Sequence, residues 1–465
     1  MSPGLATVLF VAGILGLFWL DRDQGAKTSR ALWIPVIWLS IACSRQVSVW
    51  LQMGPPMDTA SQALEGNPID RLVCSCLLVI GLVVLVRRRQ LSGLWRANGA
   101  LAFFFLYCAV SLLWSDFPGV AFKRWTKTVG DPVMVLIVLS DREPLAAFKR
   151  LVARLAYVLI PLSVLFIEYY PELGGRRNER TGQSYYTGVT TNKNELGAIC
   201  LCLGLGTLWR FLAVYHGQEG TGRIRRMIAN GVILAMVVWL FQRIDSMTSL
   251  STFLMASALL LAANFRAVMR RPAVVHVLVA SMVAVSAFVL FLGMHPETLS
   301  AMARDSTLTE RTDLWARLLG LVRNPLFGTG FESFWLGPRL EEIWRLIPWR
   351  PQQAHDGYLE VYLNLGWMGV ALLVVVLATG YRTVFHALRH NDPAGSLWLA
   401  YFLVGLVYNY TEAAFFRTQT PAWVFFLFAI VSVPAVSCRK SRPVSAELDS
   451  TSWPSQPLEE TVNIA

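Results

Sequence analysis

Charge is scarce in this chain: 15% of its 465 residues are charged, against about 25% in a soluble domain. That deficit, with 55% apolar residues and a mean hydropathy of +0.48, argues against an ordinary soluble globule. Period-two alternation over ten residues is also missing, which argues against an outer-membrane β-barrel. The first apolar block lacks a basic leader, and DRDQGAKTSR follows Leu20 instead of a small-residue cleavage site. It is read as a retained span, not a signal peptide. Cysteines are few; Cys43, Cys74, Cys76, Cys108, Cys200 and Cys202 lie in apolar blocks and Cys438 in a basic tail. The two Cys-x-Cys pairs diverge around a helix axis, so they are read as small buried hydrophobes, not metal or disulfide sites. Gly328-Thr329-Gly330 lacks the lysine of a phosphate-binding loop, and nucleic-acid motifs are absent. Asp21-x-Asp23 reads as a solvated turn, and Glu332, Glu341, Glu342 and Glu360 lack octahedral ligand spacing. Neither a metal nor a cofactor is expected.

What is there comes in blocks of about 17–22 apolar residues, the length a helix needs to cross roughly 30 Å of hydrocarbon. Spans are predicted near 4–20, 31–50, 71–86, 96–114, 129–140, 152–169, 195–215, 228–242, 248–265, 273–294, 358–380, 394–410 and 420–436. The expected fold is all-α, a polytopic integral membrane helical bundle of about 12–13 transmembrane helices with one long outer-face loop. Arg87-Arg88-Arg89, Arg223/Arg225/Arg226, Arg266/Arg270/Arg271 and Arg439/Lys440/Arg442 share one side of the alternation. The positive-inside rule makes that side cytoplasmic, and it places the N-terminus outside. Four parts result: spans with short loops over 1–294, an outer loop over 295–357, C-terminal spans over 358–436 and a cytoplasmic tail over 437–465.

The opposite side receives 51–70, 115–128, 170–194 and 295–357. Helix connections in bundles usually run about 2–8 residues, so the last of these is marked as functional. Trp315, Trp335, Trp344 and Trp349 mark it as folded. Thr307 and Glu310 have capping-box spacing. Leu314, Trp315, Leu318, Leu319 and Val322 form an apolar stripe that ends at Asn324-Pro325. A second amphipathic piece runs from Leu340 to Leu346. Such helices with Trp and Arg commonly lie along the headgroup plane; a structural cap over the bundle is the plain alternative.

Basic residues crowd this face against the topological trend. Arg176, Arg177, Arg180 and Lys193 stand in one segment, and Arg304, Arg311, Arg317, Arg323, Arg339, Arg345 and Arg350 in the long loop. Arginine offers a planar fork to phosphate oxygens, so an anionic partner at the membrane surface is expected. Lipid headgroups are the plain alternative. His355, one of six histidines, stands at a helix mouth, where an imidazole can act as a general base. Alone it is an ordinary interfacial histidine.

ERTDLW, NPLFGTGFESF and AHDGYLEVYLNLGWMG, in that order, closely resemble the signature of the O-antigen ligase and polysaccharide polymerase superfamily, most of all its exopolysaccharide-polymerase branch. GVTTNKNELG (188–197) and SMTSL (246–250) resemble two upstream motifs of that family, so that the likeness covers residues 170–380. The resemblance implies metal-independent, inverting transfer of a glycan from undecaprenyl diphosphate to an acceptor hydroxyl. It places this at the periplasmic face of the bacterial inner (cytoplasmic) membrane. It implies His355 as catalytic base and Arg311 as catalytic diphosphate ligand. Arg243, Arg180, Arg177, Lys193, Asn194, Tyr358 and Asp356 are the candidate substrate-binding residues. The expected partners are an undecaprenyl-diphosphate-linked oligosaccharide, a glycan acceptor, the lipid bilayer and other polysaccharide-export proteins.

Three positions depart from the family pattern: Asp356 stands where Asn is usual, Glu310 where Gly is common, and Met247 where arginine usually follows the serine. Arg243, one turn earlier, is the candidate for the missing charge. Ligation to a lipid or protein acceptor, a secondary transporter or lipid flippase, and a scaffold are the alternatives. No repeat between the two halves supports a transporter.

Overall fold

The computed structural model describes residues 1–22, 27–53, 66–88, 93, 96–177, 182, 184–217, 222–263, 265, 271–293, 307–347 and 349–433. Arg180, His295, Arg304, Arg266, Arg270 and the tail over 437–465 lie outside these.

The helices α1 (Pro3–Leu20), α2 (Trp33–Ala42), α3 (Pro68–Arg87), α4 (Gly99–Val110), α5 (Pro118–Leu139), α6 (Pro144–Tyr169), α7 (Lys193–Tyr215), α8 (Arg223–Arg243), α9 (Met247–Ala262) and α10 (Pro272–Gly293) precede the long loop. The loop contains α11 (Thr307–Gly320) and α12 (Gly337–Leu346), and α13 (Gly357–Arg389), α14 (Gly395–Tyr408) and α15 (Pro421–Ile430) follow it. Among the described residues, seven helices are long and apolar enough to cross a membrane, and five shorter apolar ones accompany them. The all-α polytopic bundle read from the apolar blocks is therefore the fold. A short antiparallel ribbon pairs Gly175–Arg177 with Ser184–Tyr186.

Burial sorts the helices. α6, α7, α14 and α15 are enclosed on nearly all sides, with Tyr157, Tyr401, Trp423 and Phe426 at their centre. α1 and α10 instead expose Val8, Leu15, Val277 and Val289, as helices facing hydrocarbon do. Polar clasps close the ends. Asp141 accepts from the Ser29 amide at 3.2 Å and pairs with Arg88 at 3.3 Å, and Arg210 grips Asp21 through contacts of 2.7 and 2.8 Å. At the other end Thr7 meets Tyr170 across 2.9 Å, so α1 starts where α6 finishes.

Three spans differ most from their predicted bounds. The stretch 31–50 is broken after Ala42, because the buried Arg45 donates to the carbonyls of Thr190 (3.1 Å), Gly188 (3.2 Å) and Leu173. A guanidinium among apolar helices requires such acceptors. The stretch 129–140 is the second half of α5, whose first half carries Lys123, Arg124 and Lys127. The stretch 358–380 continues to Arg389 and is kinked at Gly366, where φ is 65°.

From Thr307 on, the described part of the long loop is folded. Leu314, Leu318, Phe334, Trp335, Leu340, Ile343 and Ile347 bury against Ala354 and Leu363 as a core of their own. Leu319, assigned to the stripe from sequence, is 50% exposed instead. Arg339–Asp116 (2.8 Å), Arg124–Glu332 (3.5 Å) and Ser115–Ser333 (2.6 Å) tie this cap to the segment leading into α5.

Candidate active site

Most of the signature residues build a lock between the cap and α13. Asn324 accepts from the amides of Leu326 (3.1 Å) and Phe327 (3.2 Å), and its carbonyl from that of Gly328 (2.8 Å). Gly328 and Gly330 take φ of 69° and 92°, a region open mainly to glycine. Their turn lies along α13: Gly330 N donates to Asn364 O at 2.8 Å, and Asn364 Oδ1 accepts from Ser333 N and Phe334 N at 3.0 and 3.1 Å. The kink at Gly366 frees the amides of Trp367 and Met368, which donate to Pro325 O (2.9 Å) and Leu326 O (3.1 Å). A Cβ on Gly366 would collide with that Leu326 carbonyl.

The same lock presents His355. Glu360, one turn into α13, accepts from Ala354 N at 2.9 Å and Trp335 Nε1 at 2.6 Å, and Trp315 Nε1 donates to Ala354 O at 2.7 Å. Asp356 caps α13, accepting from Leu359 N at 2.7 Å. Held on both sides, His355 takes a φ of 52°, which costs a non-glycine residue about 1–2 kcal/mol. Burial pushes the Asp356 carboxyl up to about 6, against the amides of Leu359 and Tyr358 and the Arg311 charge, which lower it.

Glu412 lies at the centre. Its Oε2 is 3.3 Å from His355 Nδ1 and its Oε1 is 3.6 Å from Arg311 Nη2, while Asn194 Nδ2 donates to Oε1 at 2.7 Å. Arg311 also donates to Thr411 O at 2.8 Å. Gln353 Nε2 stands 3.3 Å from His355 Nδ1 and 3.5 Å from Glu412 Oε2, and its carbonyl oxygen accepts from Arg417. The loop bearing Glu412 is fixed by Asn409, whose Oδ1 accepts from Ala414 N (2.8 Å) and Phe415 N (2.9 Å) and whose carbonyl accepts from Gly357 N (2.8 Å). Thr411 meets Thr248 at 3.0 Å, which joins the SMTSL turn to the group. Gly197 lets α7 approach that turn, for a Cβ there would strike Ser249.

The residues expected from sequence divide. Arg311, His355, Asn194 and Asp356 come together. Tyr358 stands behind them, donating to Leu406 O at 3.0 Å and packing on Tyr410 at 5.5 Å between ring centres. Lys193 pairs with Asp245 at 3.1 Å, and Arg243 pairs with Glu168 at 3.5 Å over the Trp239 ring. Arg177 donates to Gly182 O at 3.1 Å in the ribbon, and Arg180 lies outside the described residues. Glu412, Gln353 and Arg417 were missed. A Glu and an Arg in a short connection between apolar spans are the signal that could have found Glu412 and Arg417.

This geometry can deprotonate a hydroxyl and receive an anion side by side. Residues 227–374, which include Arg311 and His355 but neither Asn194 nor Glu412, match the family model described as O-Antigen ligase. The chain is 26% identical over 326 residues to "Exopolysaccharide production protein ExoQ" of Rhizobium meliloti (strain 1021), across 67% of this chain and 70% of that protein. These two matches support the resemblance to the O-antigen ligase and polysaccharide polymerase superfamily, and within it to the exopolysaccharide branch.

Proposed function

We propose that this protein is a glycosyltransferase of the bacterial inner membrane. It moves a glycan from undecaprenyl diphosphate to an acceptor hydroxyl at the periplasmic face, extending an exopolysaccharide by repeat units. One observation carries this reading: the Glu412 carboxylate holds an imidazole and a guanidinium together, 3.3 and 3.6 Å from its two oxygens. The resemblance to an exopolysaccharide production protein favours polymerisation over ligation.

In this reading His355 Nδ1–H donates to Glu412, leaving Nε2 as the base. The acceptor oxygen attacks the anomeric carbon as its proton passes to Nε2. The bond from that carbon to the diphosphate oxygen breaks on the opposite face, so the sugar inverts. The lipid diphosphate leaves with the electron pair, and Arg311 receives the added negative charge. A preorganised donor of this kind lowers the barrier by about 3–4 kcal/mol in a water-poor site. In this reading guanidinium, not a metal ion, meets the developing charge.

The experiment is to identify the glycan that accumulates on undecaprenyl diphosphate in cells lacking the protein. A single repeat unit is expected. A long polymer would mean ligation, and no lipid-linked glycan at all would count against the donor.

A further inference from the structure

Arg311 alone supplies little net charge to the site. Its guanidinium is offset by Glu412 at 3.6 Å, and Asp356 adds negative charge as it ionises near pH 6. A diphosphate brings two or more negative charges, so binding it there calls for a second cation. Arg243 does not meet that need, because Glu168 already pairs with it at 3.5 Å.

Arg417 has what Arg243 lacks. It donates to Gln353 Oε1, a neutral acceptor, and the Gln353 amide nitrogen reaches both His355 and Glu412. One side-chain amide therefore separates the Arg417 guanidinium from the imidazole. Among the described residues no carboxylate pairs with Arg417 at salt-bridge distance. Glu360, whose charge it senses, already accepts from Ala354 N, Trp335 Nε1 and Asn364 Nδ2. A guanidinium has five donors, and among the described residues Gln353 Oε1 is the acceptor its side chain meets.

The backbone around Arg417 is strained and anchored. Phe416 and Gln419 both take a φ of 56°, a region that non-glycine residues rarely occupy. Phe416 is held by stacking on Phe104 at 3.7 Å. Gln419 is held by its amide donating to Asp131 at 3.2 Å and by Gln46 donating to its Oε1 at 3.1 Å. Such strain persists where its surroundings fix it, commonly at functional sites. Here it fixes the place of an arginine that pairs directly with no carboxylate among the described residues.

We propose that Arg417 is the second cation of the site and binds the donor's diphosphate together with Arg311. This rests on the transferase reading above.

The test measures binding of radiolabelled undecaprenyl diphosphate, carrying no sugar, to the purified full-length protein in nanodiscs. Arg417→Gln should weaken it by about 10- to 100-fold, the loss of a charge-assisted contact, and Arg417→Lys by less. Arg317→Gln, at an exposed position on α11, should bind as wild type does. Wild-type affinity in a folded Arg417→Gln protein would overturn the role of Arg417 and leave the donor assignment standing. If Arg417→Gln does not fold, Arg417→Lys decides: affinity equal to wild type would overturn the role, and weakened affinity would support it. Failure of the wild-type protein to bind the lipid would overturn the donor assignment and this inference together.

Discussion

Glu412 sets its Oε2 3.3 Å from Nδ1 of His355, and this contact decides which ring nitrogen is free. A carboxylate only accepts, so with the Nδ1 proton directed to Glu412, Nε2 is left basic, and the Gln353 amide nitrogen, also 3.3 Å from Nδ1, donates to Glu412 Oε2 at 3.5 Å instead. Arginine only donates, so Arg417 turns the Gln353 oxygen toward itself and the amide nitrogen toward Glu412. In Glu412→Gln an amide nitrogen can face Nδ1 and favour the opposite tautomer. Transfer should fall on the order of a hundredfold or more, in a protein that still inserts. Steady-state rates on purified protein check this, and a loss below threefold would remove Glu412 from the mechanism.

Arg311 and Arg317 lie on the same helix but in different settings. Arg311 meets Glu412 and the Thr411 carbonyl, whereas Arg317 is exposed. Arg311→Lys keeps the charge and loses the planar fork, so its rate should drop roughly a hundredfold. Arg317→Lys should change little. Equal and small effects would return Arg311 to ordinary surface charge.

Asp356 gives a pH signature. Burial raises its carboxyl to about 6, above the roughly 3.9 of an unfolded chain. Between these values the folded protein binds the extra proton, so this group's contribution to stability is greatest below about pH 4 and is lost as pH rises to about 6. Asp356→Asn keeps the helix cap and removes the titration. Melting curves of wild type should therefore decline across that window relative to Asp356→Asn, and parallel curves would contradict the assignment. Transfer by Asp356→Asn should stay within a few fold of wild type, since the capping role is retained.

Sidedness is open to direct labelling. In a Cys76→Ser background, which removes an exposed native thiol, Glu341→Cys should react with an impermeant reagent from outside sealed cells. Arg389→Cys should not. Ser333 is a poor reporter, being fully buried against Ser115. The reverse pattern would put the site on the wrong side for a periplasmic donor.

Block length and charge alternation made the bundle legible, because a helix crossing hydrocarbon must be long and apolar. The Asn324–Gly330 turn was legible, since Gly328 and Gly330 answer local backbone demands, whereas the kink at Gly366 was read as part of a continuous span over 358–380. Glu412 was not, because its partners are distant in sequence: His355 is 57 residues away and Asn194 is 218. The break after Ala42 was hidden for the same reason, the acceptors of Arg45 lying 128 to 145 residues on. Local pattern reports helices and turns, while pairing between remote polar groups emerges only when the helices pack.

The most direct measurement is transfer by His355→Gln in proteoliposomes supplied with a defined lipid-diphosphate-linked repeat unit. Glutamine keeps polarity and similar size but cannot accept the proton near neutral pH. Wild type should release lipid diphosphate and lengthen the glycan. His355→Gln should do so on the order of a hundredfold more slowly or worse, while still binding the lipid-linked donor. Polymer formed by His355→Gln at near the wild-type rate would contradict the general-base mechanism.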